Sequence, residues 1–446
     1  MLPIIEVPKT IRREMAGFRD LFCRDEGFEH VCRYVTGLVI SPNKTLQGIY
    51  DLQVFDGKRP SRRAMHESVF EAWWNSDELI RRHRANVAKD HRGRGREIIS
   101  LDWTFLHHLR GPNIFGVKKA YDYVERRTTL FQTLITAVIS NRRLMDCLEA
   151  VVQRPGHIEE EGVYLRATSK ASYEDMQKVH NRLLELLHHL KNKLEYNKRT
   201  EIALLIVQQI EEEGHFPGAD YAFDNGVMTV ELSRFIESRA KHWVSELECS
   251  RNIQWSGQWR RVDEVAQELR REHSESFRSV KVRCRNGEEK QLWVFTKVVR
   301  LKRYGRKRLV IVHEEENLTD TPRYLVTDAL HWEGTRIIET WSYRWTSEIF
   351  HEFGKQIIGL ESSQVRNEES VKRHIRLSCV SQSFIQRASA GESKSERYEF
   401  ANGKITIGQK CRAIGREVLE CLLELAKRLF SEGKSCDEVL EVLMPA

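Results

Sequence analysis

The apolar pattern of this chain changes period several times, and that constrains the fold more than any single motif does. Residues 1–96 carry apolar side chains at helical spacing. Ile98-Ile99-Ser100-Leu101-Asp102-Trp103 is then a short strand-like run closing on a carboxylate, and residues 118–127 and 129–139 are β-like. Helical spacing returns over residues 173–190, with Met176, Val179, Leu183 and Leu187 on one face, and over residues 201–211. Residues 219–224 predict a strand that again ends at an acid, Asp224; a helix over 230–238 and a strand over 242–247 follow. From 276 to 330 the pattern is β once more, divided by the turn signals Asn286-Gly287 and Tyr304-Gly305. Residues 336–360 read as helical. So do residues 363–446, around a polar break at 390–395 and a late leucine-rich helix carrying Leu419, Leu422, Leu423, Leu425 and Leu429. This succession excludes an all-helical or all-β chain and predicts an α/β protein with a compact β insertion. No internal repeat and no Walker-type or Rossmann-type glycine signature is present.

Composition narrows the class. Of 446 residues, 40% are hydrophobic and 31% charged, as expected of a globular chain. The longest apolar runs, 202–207 and 309–312, fall far short of the ~20 residues that a membrane-spanning helix needs. Residues 1–17 include Glu6, Lys9, Arg12, Arg13 and Glu14, so no secretory leader is expected. The cysteines number nine and form no CxxC pair, which argues for free thiols rather than a zinc or disulfide framework. Net charge is +7, but the basic residues cluster at 58–63, 92–96 and 302–308. Each cluster is compatible with a solvated loop; together they favour a polyanion partner. In the N-terminal region, Asn43-Lys44-Thr45 begins a helix. Gly57 and Pro60 break it, and Ser61 caps another bearing Met65, Val69, Phe70, Trp73 and Trp74. The pair fits either a helix-turn-helix-like DNA-binding unit or an ordinary helical subdomain with aromatic core residues.

Asp102 and Asp224 are the acids at strand ends, where ligands commonly meet a sheet. Glu348 lies in the helical stretch Trp341-Ser342-Tyr343-Arg344-Trp345-Thr346-Ser347-Glu348-Ile349-Phe350. Arg344 precedes it by one turn and Lys355 follows it by about two, so all three share a helix face. Caps and surface ion pairs are the competing explanation for each acid. His107 and His108, close to Asp102, fit either a base or metal-ligand role or a polar turn.

The spacing of Arg344, Glu348 and Lys355 resembles the Tyr-Arg-Glu-Lys signature of DDE transposases from bacterial insertion sequences. That signature places three residues between Arg and Glu and six between Glu and Lys. Its Tyr position is held here by Trp341, a departure; Tyr343 is close by but two residues out of register. Ser100-Leu101-Asp102 followed by two strands is similar to the family's first catalytic-Asp region, and Tyr221-Ala222-Phe223-Asp224-Asn225-Gly226 to its second. Tyr34-Val35-Thr36-Gly37-Leu38 and Lys44-Thr45 are similar to its helical DNA-binding region, so short motifs match in order from about residue 30 to 375. Asp220 is a rival to Asp224, which is preferred because a helix begins soon after it.

The resemblance implies an RNase H-like mixed-sheet catalytic core with a β-strand insertion between the second Asp and the Glu, preceded by a helical N-terminal domain and followed by a helical C-terminal region. The boundaries expected are 1–96 for the DNA-binding helices, 97–250 for the first part of the core, 251–334 for the insertion, 335–390 for the last part of the core with the Glu helix, and 391–446 for the C-terminal region. It further implies a catalytic, metal-binding triad of Asp102, Asp224 and Glu348 holding two Mg2+ ions, for which Mn2+ can substitute. Arg344, Lys355, Trp341 and Tyr343 become candidate DNA contacts. The partners implied are double-stranded DNA at element ends and targets and a second copy of the chain on paired ends. The location implied is the bacterial cytoplasm at the nucleoid. An inactive or domesticated DNA-binding relative, and a metal-dependent nuclease on the same fold, are the alternatives.

Overall fold

The computed structural model describes residues 2–55, 59–109, 111–123, 125–154, 175–389 and 405–443. The Gly57 break and the polar stretch at 390–395 lie outside the described residues. Strand β1 (Ile98–His107) does not stop at Asp102. It runs on because β3 (Arg127–Ser140) is long enough to pair it along its whole length, from Ile98 opposite Ser140 to His107 opposite Phe131. Asp102 is therefore a mid-strand residue, a correction to the strand-end placement. The remaining strands are β2 (Lys118–Asp122), β4 (Met145–Val152), β5 (Asp220–Phe223), β6 (Trp243–Glu246), β7 (Asn252–Trp255), β8 (Gln258–Arg261), β9 (Arg278–Arg283), β10 (Glu289–Leu301), β11 (Gly305–His313) and β12 (Arg323–Thr327).

All of these strands belong to one mixed sheet of 12 strands. On one side of β1 the pairing is antiparallel: β3 follows it, and β2 and β4 both pair with the far edge of β3 at its two ends. On the other side β5 and then β6 run parallel to β1. The strands of residues 251–334 do not form a separate block. β12 pairs antiparallel with β6, with Val326 opposite Ser245, so β11, β10 and β7 extend the same sheet. The two expected turns sit where the sequence placed them, between β9 and β10 and between β10 and β11.

Helices gather at both ends of the chain. Thr45 and Ser61 cap helices Leu46–Asp51 and Arg62–His66 by accepting from the backbone N–H groups of Gly48 and Ala64. The second helix continues as a wider turn, Glu67–Glu71, and ends before Trp73, which is exposed, and Trp74, which is buried. Val35, Leu38, Val69 and Phe70 pack against Leu377, Val380 and Phe384 of the helix Glu368–Arg387. The N-terminal helices and the late helices thus share a core. Apolar burial, worth roughly 25 cal/mol per Å², fixes them as one mass. Elsewhere the amphipathic pattern is not consumed. Helix Met176–Leu194 leaves Met176, Leu183 and Leu187 exposed, and helix Ile407–Ser431 leaves Leu419 and Leu423 exposed. Among the described residues no helix is long and apolar enough to cross a membrane.

Candidate active site

The parallel pairing of β1 and β5 places Leu101 opposite Phe223. The residues that follow are Asp102, still on β1, and Asp224, just past the end of β5, so the two acids are neighbours. Asp220, at the other end of β5, faces Ile98 instead and is occupied by Arg96 at 3.1 Å and by the backbone N–H of His242. The third acid arrives from the C-terminal helices. Arg344 ends the turn after helix Gly334–Ser342 and opens helix Trp345–Phe353, in which Glu348 lies one turn on. The Arg344 guanidinium spans the site: one nitrogen is 2.5 Å from Glu348 Oε1 and another is 3.6 Å from Asp102 Oδ2. Ser100, two residues before Asp102, bonds to Ser347 beside Glu348 at 2.7 Å, which fixes this helix against β1.

The electrostatics are strained in a specific sense. Asp102 is 7% exposed, and its carboxyl is pushed up from its ordinary 3.8 to about 7, first by burial and then by the negative charges of Asp224 and Glu348. The backbone N–H of Trp103 and the charge of Arg344 act the other way but do not win. Asp224 Oδ1 accepts from the backbone N–H groups of Gly226 and Val227 at 3.0 and 3.2 Å, which holds its side chain in the turn after β5. Gly226 is required there, because a Cβ would come within 2.9 Å of the Trp103 ring. Three neighbouring carboxylates are the all-oxygen donor type that a hard divalent cation such as Mg2+ or Mn2+ prefers, although among the described residues only His107, Asp122 and Glu125 bring three ligand atoms within 4.8 Å of one another. Cation binding would relieve the repulsion that raises Asp102.

A pH dependence follows. Asp102 binds its proton more tightly folded than unfolded, so the metal-free protein loses stability as pH rises from about 4 to about 7, with no further loss from this group above that. Asp102→Asn is expected to flatten that slope and to raise the melting temperature at pH 8 relative to wild type. Thermal melts at pH 5 and pH 8 with a chelator present check this; an equal or steeper slope in the variant contradicts it.

The other residues singled out fall as follows. Trp341 is half-buried, with Arg323 and Arg344 guanidinium groups 4.6 and 5.4 Å from its ring centroid and its buried indole N–H without a partner. It lines a cleft of about 830 Å³, together with Glu314, Asp320, Arg323 and Trp345. Tyr343 is 2% exposed and its ring packs on Ile98 and Ala222, facing the core rather than the solvent. Trp345 is the exposed aromatic of this segment. Lys355 falls in the wider-wound turn Gly354–Ile358, and its ammonium lies 3.6 Å from Glu361. The α-helical two-turn spacing to Glu348 is interrupted there, because that winding is i→i+5.

Two features escaped sequence reasoning. Arg199 stacks on Trp103 beside Asp102, its guanidinium 4.3 Å from the ring centroid, and nothing in the spacing signals that pair. His107 meets Asp122, Glu125 and Glu361 at the far end of β1. His108 instead bonds to Gln132 at 2.9 Å. Comparison with protein-family models finds no match, and comparison with curated proteins finds none either.

Proposed function

We propose that the chain is a DDE transposase that cleaves DNA at element ends and joins them to target DNA, on an RNase H-like core. The observation that carries this is that Arg344 pairs with both Asp102 and Glu348, while Asp224 adjoins Asp102 just beyond the paired β1 and β5. The strand order supports it: an antiparallel run β4, β3, β1 followed by β5 and β6 parallel to β1 is the order that an RNase H-like core would require. So does the run of strands between Asp224 and Glu348. Two Mg2+ ions, or Mn2+ in their place, would supply an activated oxygen nucleophile and neutralise phosphate charge. Asp102, within electrostatic reach of both other acids, would help hold the ions together with Asp224 and Glu348. Arg344 orients Glu348 and adds positive charge where a scissile phosphate would lie. Trp341 and the exposed Trp345 flank the cleft beside it, and Lys355 with the exposed Arg92, Arg94, Lys302 and Arg303 would meet the backbone of double-stranded DNA. A homodimer on paired ends, working at the bacterial nucleoid in the cytoplasm, belongs to the same reading.

The test is strand transfer. Wild-type protein with Mg2+ and DNA bearing the gene's own flanks is expected to release 3′-hydroxyl ends and join them to a supercoiled target. Cutting without joining or end preference would identify a nuclease. Specific binding with no cutting in Mg2+ or Mn2+ would identify a DNA-binding derivative.

A further inference from the structure

A second cluster of ligand-type side chains lies five residues along β1 from Asp102, roughly 16 Å away at the rise of a strand. The His107 Nε2 atom is 2.7 Å from Asp122 Oδ2 and 3.8 Å from Glu125 Oε1. One ligand atom from each of the three residues lies within 4.8 Å of the others. Each carboxylate has its second oxygen held by the protein. Asp122 Oδ1 accepts from the backbone N–H of Glu125 at 3.2 Å, and Glu125 Oε2 accepts from Arg127 at 2.7 Å. The remaining oxygens are thereby turned toward the imidazole.

The opposite side of the ring is also provided for. His107 Nδ1 is 3.7 Å from Glu361 Oε1, the same oxygen that accepts from the His107 backbone N–H and lies near Lys355. At hydrogen-bond distance a carboxylate behind the imidazole fixes the ring and raises its basicity in metal–histidine sites; here a shift of a few tenths of an ångström would close that bond. A tetrahedral Zn2+ with bonds of about 2.0–2.1 Å separates its ligand atoms by roughly 3.3 Å. The two observed separations from Nε2 fall either side of that value, so small side-chain shifts suffice.

We propose that His107, Asp122 and Glu125 form a second divalent-cation site, of the imidazole-favouring class represented by Zn2+, distinct from the three-acid site. A nitrogen donor with two carboxylates selects against Mg2+, whose preference is for oxygen alone, and in favour of Zn2+ or Co2+. Bound there, the ion ties the β2–β3 turn to the end of β1. Through Glu361 it also connects to the segment that follows the Glu348 helix.

The experiment uses the full chain carrying Asp102→Asn and Glu348→Gln, which removes the first site. Zn2+ is titrated by competition with a chromophoric chelator, and Co2+ by its visible spectrum. One equivalent is expected to remain in this background. Adding His107→Gln is expected to abolish it and the Co2+ band, and adding Glu361→Gln to weaken it about 10–100-fold. Should His107→Gln fail to fold by circular dichroism, Glu125→Gln on the exposed turn carries the same expectation of loss. No Zn2+ uptake in the background protein, or uptake unchanged by these substitutions, overturns the site and leaves a histidine–carboxylate ion pair.

Discussion

Asp102→Asn is expected to lower metal-dependent DNA cleavage by about 10³-fold or more, equivalent to roughly 4 kcal/mol of transition-state stabilisation. The same loss is expected for Asp224→Asn and Glu348→Gln, because each removes one oxygen donor from a site that has no histidine or thiol to replace it. Binding to the flanking DNA is expected to hold within a few-fold, since a carboxylate does not attract a phosphate and removing negative charge does not oppose DNA. Single-turnover cleavage and gel-shift titration measure the two quantities separately. Near-wild-type cleavage by any one variant would remove that residue from the site. A parallel collapse of binding would mean that the acid is structural.

Arg84→Ala is expected to cost about 3–5 kcal/mol of stability, the largest effect away from the site. Arg84 sits on helix Ser76–His91 with its side chain 1% exposed, between Glu149 of β4 at 3.1 Å and Glu213 of helix Arg199–Glu213 at 2.5 Å. It also donates to the Leu148 carbonyl at 3.3 Å. Truncation leaves Glu213 without this partner in a nearly dry environment, while Glu149 retains Arg376 at 3.2 Å. Arg81 on the same helix is the control: its pair with Glu78 is at the surface, and Arg81→Ala is expected to leave the unfolding midpoint nearly unchanged. Urea unfolding of the three proteins decides the matter; equal midpoints for both variants would contradict the role given to Arg84.

Those two sites also show what the sequence makes legible and what it hides. Local signals carried well. The caps at Thr45 and Ser61, the turn at Asn286-Gly287 and the helix Val230–Ser238 fall where spacing and residue type put them, because they depend on near neighbours alone. The Arg344–Glu348 pair was readable for the same reason, as one helical turn. Strand length was not. Asp102 was placed at a strand end because the apolar run stops, yet β1 continues to His107 under the pairing with β3, a partner over twenty residues away. Nor does anything local announce that Arg323–Thr327 will pair with β6, so that the strands of residues 251–334 extend the same sheet. Only register distinguishes Asp220 from Asp224, one end of β5 facing Ile98 and the residue after its other end adjoining Asp102. Tyr343 looked available because aromatics flank Glu348 on both sides; burial against Ile98 and Ala222 is a long-range fact. The cluster around His107 draws on residues 107, 122, 125 and 361, and no spacing rule joins the last of these to the rest.

If Asp102, Asp224 and Glu348 hold two catalytic metal ions, the most direct measurement is to locate those ions. Crystals of the wild-type chain soaked in Mn2+ and measured at the manganese absorption edge would show where they bind. The account predicts two anomalous peaks about 3.5–4 Å apart among these carboxylates, with Asp102 touching both, and neither peak in Asp102→Asn. Manganese bound elsewhere only, or peaks that persist in that variant, would contradict it.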